Sequence, residues 1–192
     1  MTQTASYVEG FTAAFGAVSG QAHRAESEAA VNAVLEQIFA AEQPEVVALA
    51  ALPEDLMAQI ADLCKDKGIQ VLQPPYRSAE LPGLIDTAQI GITGCVFGIA
   101  ETGTLAEVAL DDAVRLVSSI PRTHIGIVRT EDLVGSLMES SSALRRVFER
   151  HPAGVTVSYL SGPSRTGDIE MKLTLGVHGP ETAHAILLGA AS

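Results

Sequence analysis

Apolar positions change their period several times along the chain, and each change marks an element. Over 26–41, Val31, Val34, Leu35 and Ile38 fall at i, i+3, i+4 and i+7, the stripe of an amphipathic helix. EVVALA, at 45–50, is an apolar run without polar alternation, as a strand buried on both faces requires. PEDLMAQIADLCKDKG, at 53–68, has Pro53 near its first turn, acids after it, lysines in its last turn and Gly68 as a stop. Those signals predict a second helix. IQVLQP, at 69–74, is the next strand, ended by Pro74 and Pro75. The α-β-α-β order predicts a mainly parallel sheet flanked by helices. Residues 1–20 are small and polar, with little amphipathic pattern beyond Phe11 and Phe15. They read as a loosely held, partly helical N-terminal arm ahead of a single α/β domain over 21–192.

The second half is denser in strand patterns. Runs at 88–93, 96–100, 104–110, 115–120 and 124–129 lie too close together for helices between them. Some neighbours must then be antiparallel, which makes the sheet mixed. Residues 130–150 read as one helix, with Thr130 as N-cap, acids next, and Arg145, Arg146 and Arg150 near the C-terminus. Further strands are predicted at 155–160, 172–177 and 183–188. The expected class is α/β, a mixed but mainly parallel sheet flanked by helices.

Charge narrows the partners. The chain carries 23 acidic and 12 basic residues, a net charge of −11. Phosphate neutralisation needs clustered Lys and Arg, so nucleic acid is not an expected partner, nor is an anionic membrane surface. A small anion remains possible, because one Arg and a nest of N–H groups can hold it whatever the net charge. No stretch approaches the ~20 apolar residues of a membrane span. The N-terminus lacks a basic n-region, and a cytoplasmic protein is expected. Cys64 and Cys95 make no CxxC motif and are too few for an iron–sulfur cluster, so they read as reduced, packed thiols.

Four segments place small or polar residues just beyond an apolar strand, at 98–105, 120–124, 161–170 and 176–184. In open α/β sheets, sites form on such loops. SGPSRTGDIE offers hydroxyls from Ser161, Ser164 and Thr166 and a forked cation from Arg165. Its Gly162 and Gly167 permit close backbone approach, and Asp168 adds a carboxylate. Such a loop either cups an anion or satisfies its own backbone. Walker A spacing is absent. Glu101, ahead of Thr102, Gly103 and Thr104, is either a base or nucleophile in a partly dry pocket or an acceptor that pins a loop. Arg115 reads as a partner of Asp111, Asp112 or Glu101, whereas Arg122, after Pro121, is free to face a ligand. His178 and His184, with Asp168, Glu170 and His124 elsewhere, show no metal-ligand spacing, and no metal or cofactor is expected. His178 reads as a loop-fixing hydrogen bonder. No GxSxG elbow is present, and nothing local would activate Cys95.

ITGCVFGIAETGTL, RLVSSIPRTHIGIV and SGPSRTGDIEMKLTLGVHGPETAHAILL, in that order, together resemble the LUD-domain proteins, specifically the lactate-utilisation protein C group. The resemblance covers about 84–188. It implies a NagB/RpiA/CoA-transferase-like fold and a role in oxidising L-lactate to pyruvate beside iron–sulfur protein subunits. Two departures stand out. Val96 occupies a position where many relatives have an acid, and Arg165 replaces a frequent Lys, which turns a point cation into a planar fork. The reading that follows is an accessory, non-redox subunit of a lactate-oxidising system. Its small anion or partner loop would sit among Glu101–Thr104, Arg122, Ser161–Asp168 and His178. The alternatives are a CoA-transferase-like or other small-carboxylate or phosphate enzyme using Glu101, and a purely structural assembly module. Fold-level analogy alone stands behind the enzyme reading.

Overall fold

The computed structural model describes residues 2–166 and 174–189. The chain runs α1 (Gln3–Ala17), β1 (Gln21–Ala25), α2 (Glu28–Glu42), β2 (Val46–Ala50), α3 (Glu54–Asp66), β3 (Gln70–Leu72), α4 (Leu81–Ile85) and β4 (Ile90–Gly94). It continues through β5 (Phe97–Ile99), β6 (Thr104–Ala109), α5 (Asp112–Ser119), β7 (Thr123–Arg129), β8 (Leu133–Val134) and α6 (Ser140–Arg150). It closes with β9 (Thr156–Leu160), β10 (Arg165–Thr166), β11 (Thr174–Leu175) and β12 (Thr182–Leu188).

The main sheet has six strands in the order β1-β12-β7-β4-β2-β3, and every pair in it is parallel. A second sheet, in the order β8-β5-β6-β9, holds the antiparallel pairs β5–β6 and β6–β9 and the parallel pair β5–β8. The α/β expectation therefore holds, with the antiparallel pairing kept out of the main sheet, in this second sheet and in the two-stranded β10–β11 pair. The chain crosses between sheets at Cys95 and Val96. Cys95 N–H donates to Ile127 O and Val96 N–H to Ala106 O, both at 2.8 Å.

One face of the main sheet is covered by α2 and α3. Val31, Leu35, Ile38 and Phe39 of α2 and Leu56 and Ile60 of α3 pack on Val47, Leu49, Ile92, Ile125 and Ile186. Ser27 caps α2 by accepting the Ala30 N–H. The opposite face is built from smaller residues, including Ala48, Ala50, Ala183 and Ala185, and admits α1, α5 and the second sheet. Gly91 shows how close that approach is, since a Cβ there would lie 1.9 Å from Val117 O of α5.

Three expectations change. The N-terminal segment is not loosely held. α1 is capped by Thr2, and its Val8, Phe11 and Phe15 are buried against Leu105, Leu133, Ala185 and Leu187. Those three residues are spaced i, i+3, i+7, so burial of one stripe holds the helix. The run at 115–120 is a helix and not a strand. Asp111 accepts the Ala113 N–H at 2.9 Å, and Ala113, Val114 and Val117 form the buried stripe. Arg115 stays exposed and pairs with Asp112. Finally, 130–150 is not one helix. Thr130–Asp132 forms a 3₁₀ turn, and α6 begins only at Ser140. Leu133 and Val134 lie between them and pair with Gly98 and Ile99. The edge of the second sheet outcompetes helix propensity there. Of the strand predicted at 172–177, Thr174 and Leu175 pair with Thr166 and Arg165, and 172–173 lie outside the described residues.

Candidate functional site

The AETGT block forms the β5–β6 turn and locks onto α1. Gly103 has φ +59°, and a Cβ there would stand 2.2 Å from the Phe15 backbone N, so only glycine fits. Thr102, Thr104 and Ser161 form a chain of hydroxyls, each contact 2.6 Å. Glu101 is exposed and turns the other way, where its Oε2 accepts the Leu137 N–H at 3.1 Å. The Glu101 N–H donates to Gly135 O at 3.0 Å. The same loop is held by Glu139, whose Oε2 accepts the Gly135 N–H at 2.9 Å. Glu101 thus ties down the loop between β8 and α6.

The SGPS block closes on the end of the same helix. Gly162 has φ +78°, with Val18 O 2.7 Å from where a Cβ would sit. Arg165 donates to Ser19 Oγ at 3.1 Å. Ser164 N–H donates to Pro180 O at 2.8 Å and Ser164 O accepts the Gly176 N–H at 3.0 Å, which joins it to the loop carrying the exposed His178. Thr166 lies in β10 opposite Thr174. Gly167, Asp168 and Glu170 lie outside the described residues. Arg122 precedes β7, and its guanidinium donates to Glu42 Oε2 at 3.0 Å. The structure therefore brings Thr102, Thr104 and Ser161 together and links Ser164 to the His178 loop. Glu101, Arg122 and Arg165 each engage a different partner.

A concave site forms elsewhere, at the carboxyl ends of the main sheet. The chain leaves β2 for β3 and returns to β4 on the other side of β2, so strand order reverses between β2 and β4. Ligands of open α/β sheets bind outside such a reversal. A cleft of about 290 Å³ lies there, lined by Ala51, Pro53, Cys95, Arg129, Asp132 and Arg150 among others. Its mouth depends on Gly94, where a Cβ would lie 2.0 Å from Ala51 O. Ala51 itself has φ +54°, a strained value for a residue with a Cβ. The first turn of α3 opens here with no side-chain cap on its N–H groups. A second cleft of about 190 Å³ shares Val96, Val108, Asp132 and Arg150 with the first and adds Arg146 and His151. Burial, with the Glu131 charge, pushes the Asp132 carboxyl above the usual range, against the pull of Arg129, Arg146 and Arg150. Arg129 also lies 3.8 Å from Glu28. At the floor, burial and the Glu107 charge push the Cys95 thiol well up, so it is a protonated packing group.

Behind this floor is a buried polar cluster that the sequence reading missed. Thr93 hydrogen-bonds Glu107 Oε1, and its Oγ1 lies 2.8 Å from His124 Nε2, which is itself 3.4 Å from Glu107 Oε1. Glu107 is 1% exposed, and its Oε2 has no hydrogen-bond partner among the described residues. The available signal was a glutamate inside TLAEVAL, on the same alternating face as Leu105 and Ala109. A second pair, His23 Nε2 and His184 Nδ1, meets at 3.0 Å on the face covered by α2. Burial, with His23 beside it, lowers the His184 pKa to about 4, and burial lowers that of His23. Among the described residues no group of three or more His, Cys, Asp or Glu could hold a metal ion. No helix among them is long and apolar enough to cross a membrane.

Comparison with known proteins gives consistent matches. The LUD domain family model matches residues 8–188. Lactate utilization protein C of Deinococcus radiodurans is 33% identical over 145 residues, which is 75% of this chain and 62% of that protein. Lactate utilization protein C of Bacillus subtilis (strain 168) is 38% identical over 107 residues, 54% of this chain and 43% of that protein. The chain thus spans only part of the length of these curated relatives. A crystal structure of a DUF162 family protein from Deinococcus radiodurans is similar with a TM-score of 0.68 at 23% identity, over 98% of this chain and 100% of that one. That likeness shows the fold.

Proposed function

Because the chain belongs to the LUD domain family, we propose that it serves in lactate utilisation as a non-redox accessory protein that holds a small anion in the cleft beside β2 and β4. The observation that carries this reading is the gathering of Arg129, Arg146 and Arg150 around Asp132, at the uncapped start of α3. In a chain of net charge −11, cations gathered on a concave strand-end site favour an anionic occupant. Guanidinium forks match carboxylate and phosphate oxygens in pairs, which suits a small carboxylate or a phosphate ester. The relatives' name points to lactate chemistry, and two cysteines are fewer than the four thiolates a cluster takes. Electron transfer would then fall to iron–sulfur protein partners.

Isothermal titration with L-lactate, pyruvate, inorganic phosphate and coenzyme A tests the reading. One of these should bind, and Arg150→Ala and Arg129→Ala should each weaken it by about tenfold or more, the cost of one charge-assisted hydrogen bond. Binding unchanged in both variants, or no binding of any of the four, would overturn it.

A further inference from the structure

On the α2-covered face of the main sheet, two neighbouring buried atoms have no hydrogen-bond partner among the described residues. They are His184 Nε2 and Thr123 Oγ1, on side chains 5% and 0% exposed. Thr123 opens β7 opposite Thr182, and His184 follows two residues later on the same face of β12. The two residues therefore sit one diagonal step apart on the sheet. A buried polar group without a partner loses its hydration with no return, so a pair at one spot calls for a shared partner.

The surroundings define that partner. His184 is fixed by its other nitrogen, 3.0 Å from His23 Nε2, and this leaves Nε2 as its open position. Glu42 lies close enough for its charge to act on His184, and its carboxylate holds the Arg122 guanidinium at 3.0 Å. Arg122 adjoins Thr123 in the chain, so this ion pair borders the same corner at the amino ends of β7 and β12. A hydroxyl group both donates and accepts, which is what an unmatched imidazole nitrogen and an unmatched threonine require together.

We propose that this corner is a hydroxyl-binding site, with one hydroxyl seated between His184 Nε2 and Thr123 Oγ1. A buried water supplies that chemistry, and so does the alcohol of a short 2-hydroxy acid whose carboxylate meets Arg122. The site is independent of the strand-end cleft. It lies at the opposite ends of the strands and shares none of the residues named there.

Long-range ¹H–¹⁵N spectra of the histidine rings, on the full chain near neutral pH, read the site directly. His184 Nε2 is expected in a single hydrogen-bonded state that Thr123→Ser preserves and Thr123→Val changes. If L-lactate shifts this signal and propionate, which lacks the hydroxyl, does not, the source is the acid. Arg122→Ala then weakens the response by about tenfold or more, and Arg150→Ala leaves it intact. A cross-peak from the His184 ring to a long-lived water, with no response to lactate, identifies water as the source. A His184 Nε2 signal with neither water contact nor lactate response, whether or not Thr123→Val changes it, overturns the proposal.

Discussion

Two residues with similar backbone angles show how a contact, more than a dihedral, decides what a position tolerates. Gly68 and Gly103 have φ of +70° and +59°. A Cβ at Gly68 would meet nothing within 4 Å, whereas one at Gly103 would stand 2.2 Å from the Phe15 backbone. Gly68→Ala should cost about 1 kcal/mol, the left-handed penalty alone. Gly103→Ala adds the forced separation of the β5–β6 turn from α1 and should cost roughly 1–3 kcal/mol more. Urea unfolding of the two variants checks this, and equal losses would mean that the α1 contact does not restrain the turn. His184 gives a pH dependence. Its pKa falls from 6.5 unfolded to about 4 folded, so between those values the unfolded chain binds a proton that the folded chain does not. Its contribution is full above the unfolded pKa and is lost as pH falls toward the folded one, amounting to about 3 kcal/mol. His23, also lowered, acts in the same direction. Stability measured from near neutral pH down toward the folded pKa should fall more steeply in the wild type than in His184→Gln. Parallel curves would show that the buried pair does not control acid sensitivity.

At the scale of elements, α2, β2, α3 and β3 were legible because each run shows its full period and its own stop signals. α5 was not. An eight-residue helix offers only two turns, and its Val114, Leu116 and Val117 also satisfy a short apolar run. The deciding cue was local, the Asp111 cap, and it was read as a pairing partner for Arg115. The 130–150 segment failed for a different reason, because Leu133 and Val134 answer to β5, more than thirty residues upstream. α1 is legible only as a partly helical arm because small residues dilute its stripe, although Val8, Phe11 and Phe15 carry the helical spacing. Its importance is testable. Phe11 is fully buried, packs on Phe15 with ring centroids 5.5 Å apart, and belongs to the cluster joining β6, β8 and β12. Phe11→Ala should destabilise the protein by about 3–5 kcal/mol. A loss under about 1 kcal/mol, typical of an exposed position, would restore the picture of a loosely held arm.

At the scale of the whole molecule, strand order builds the cleft, and no window of sequence contains it. Ala51, Cys95, Arg129 and Arg150 come from four separate stretches and meet because β2, β4 and β7 are neighbours in the sheet. The sequence motifs are visible because they are contiguous, and the structure uses their glycines to seat the end of α1 and their hydroxyls to join the two blocks. Val96 connects the two levels. The family resemblance expects an acid there, and the structure places it on the rim shared by both clefts, 40% exposed. An acid at this position would stand among Arg146, Arg150 and Asp132 and offset part of their positive charge. With valine there, no further acid offsets the arginines beyond Asp132, Glu131 and the Glu28 beside Arg129. Val96→Asp should therefore weaken anion binding by roughly fivefold, about 1 kcal/mol for one charge near a half-solvated site. The weakening should shrink as salt is raised, because screening acts on exposed charges. Being partly exposed and outside the core clusters, the substitution should change stability by no more than about 0.5 kcal/mol. Titration of wild type and Val96→Asp at low and high salt decides the matter. Unchanged or tighter binding in the variant would mean that the arginines do not hold the anion through this rim.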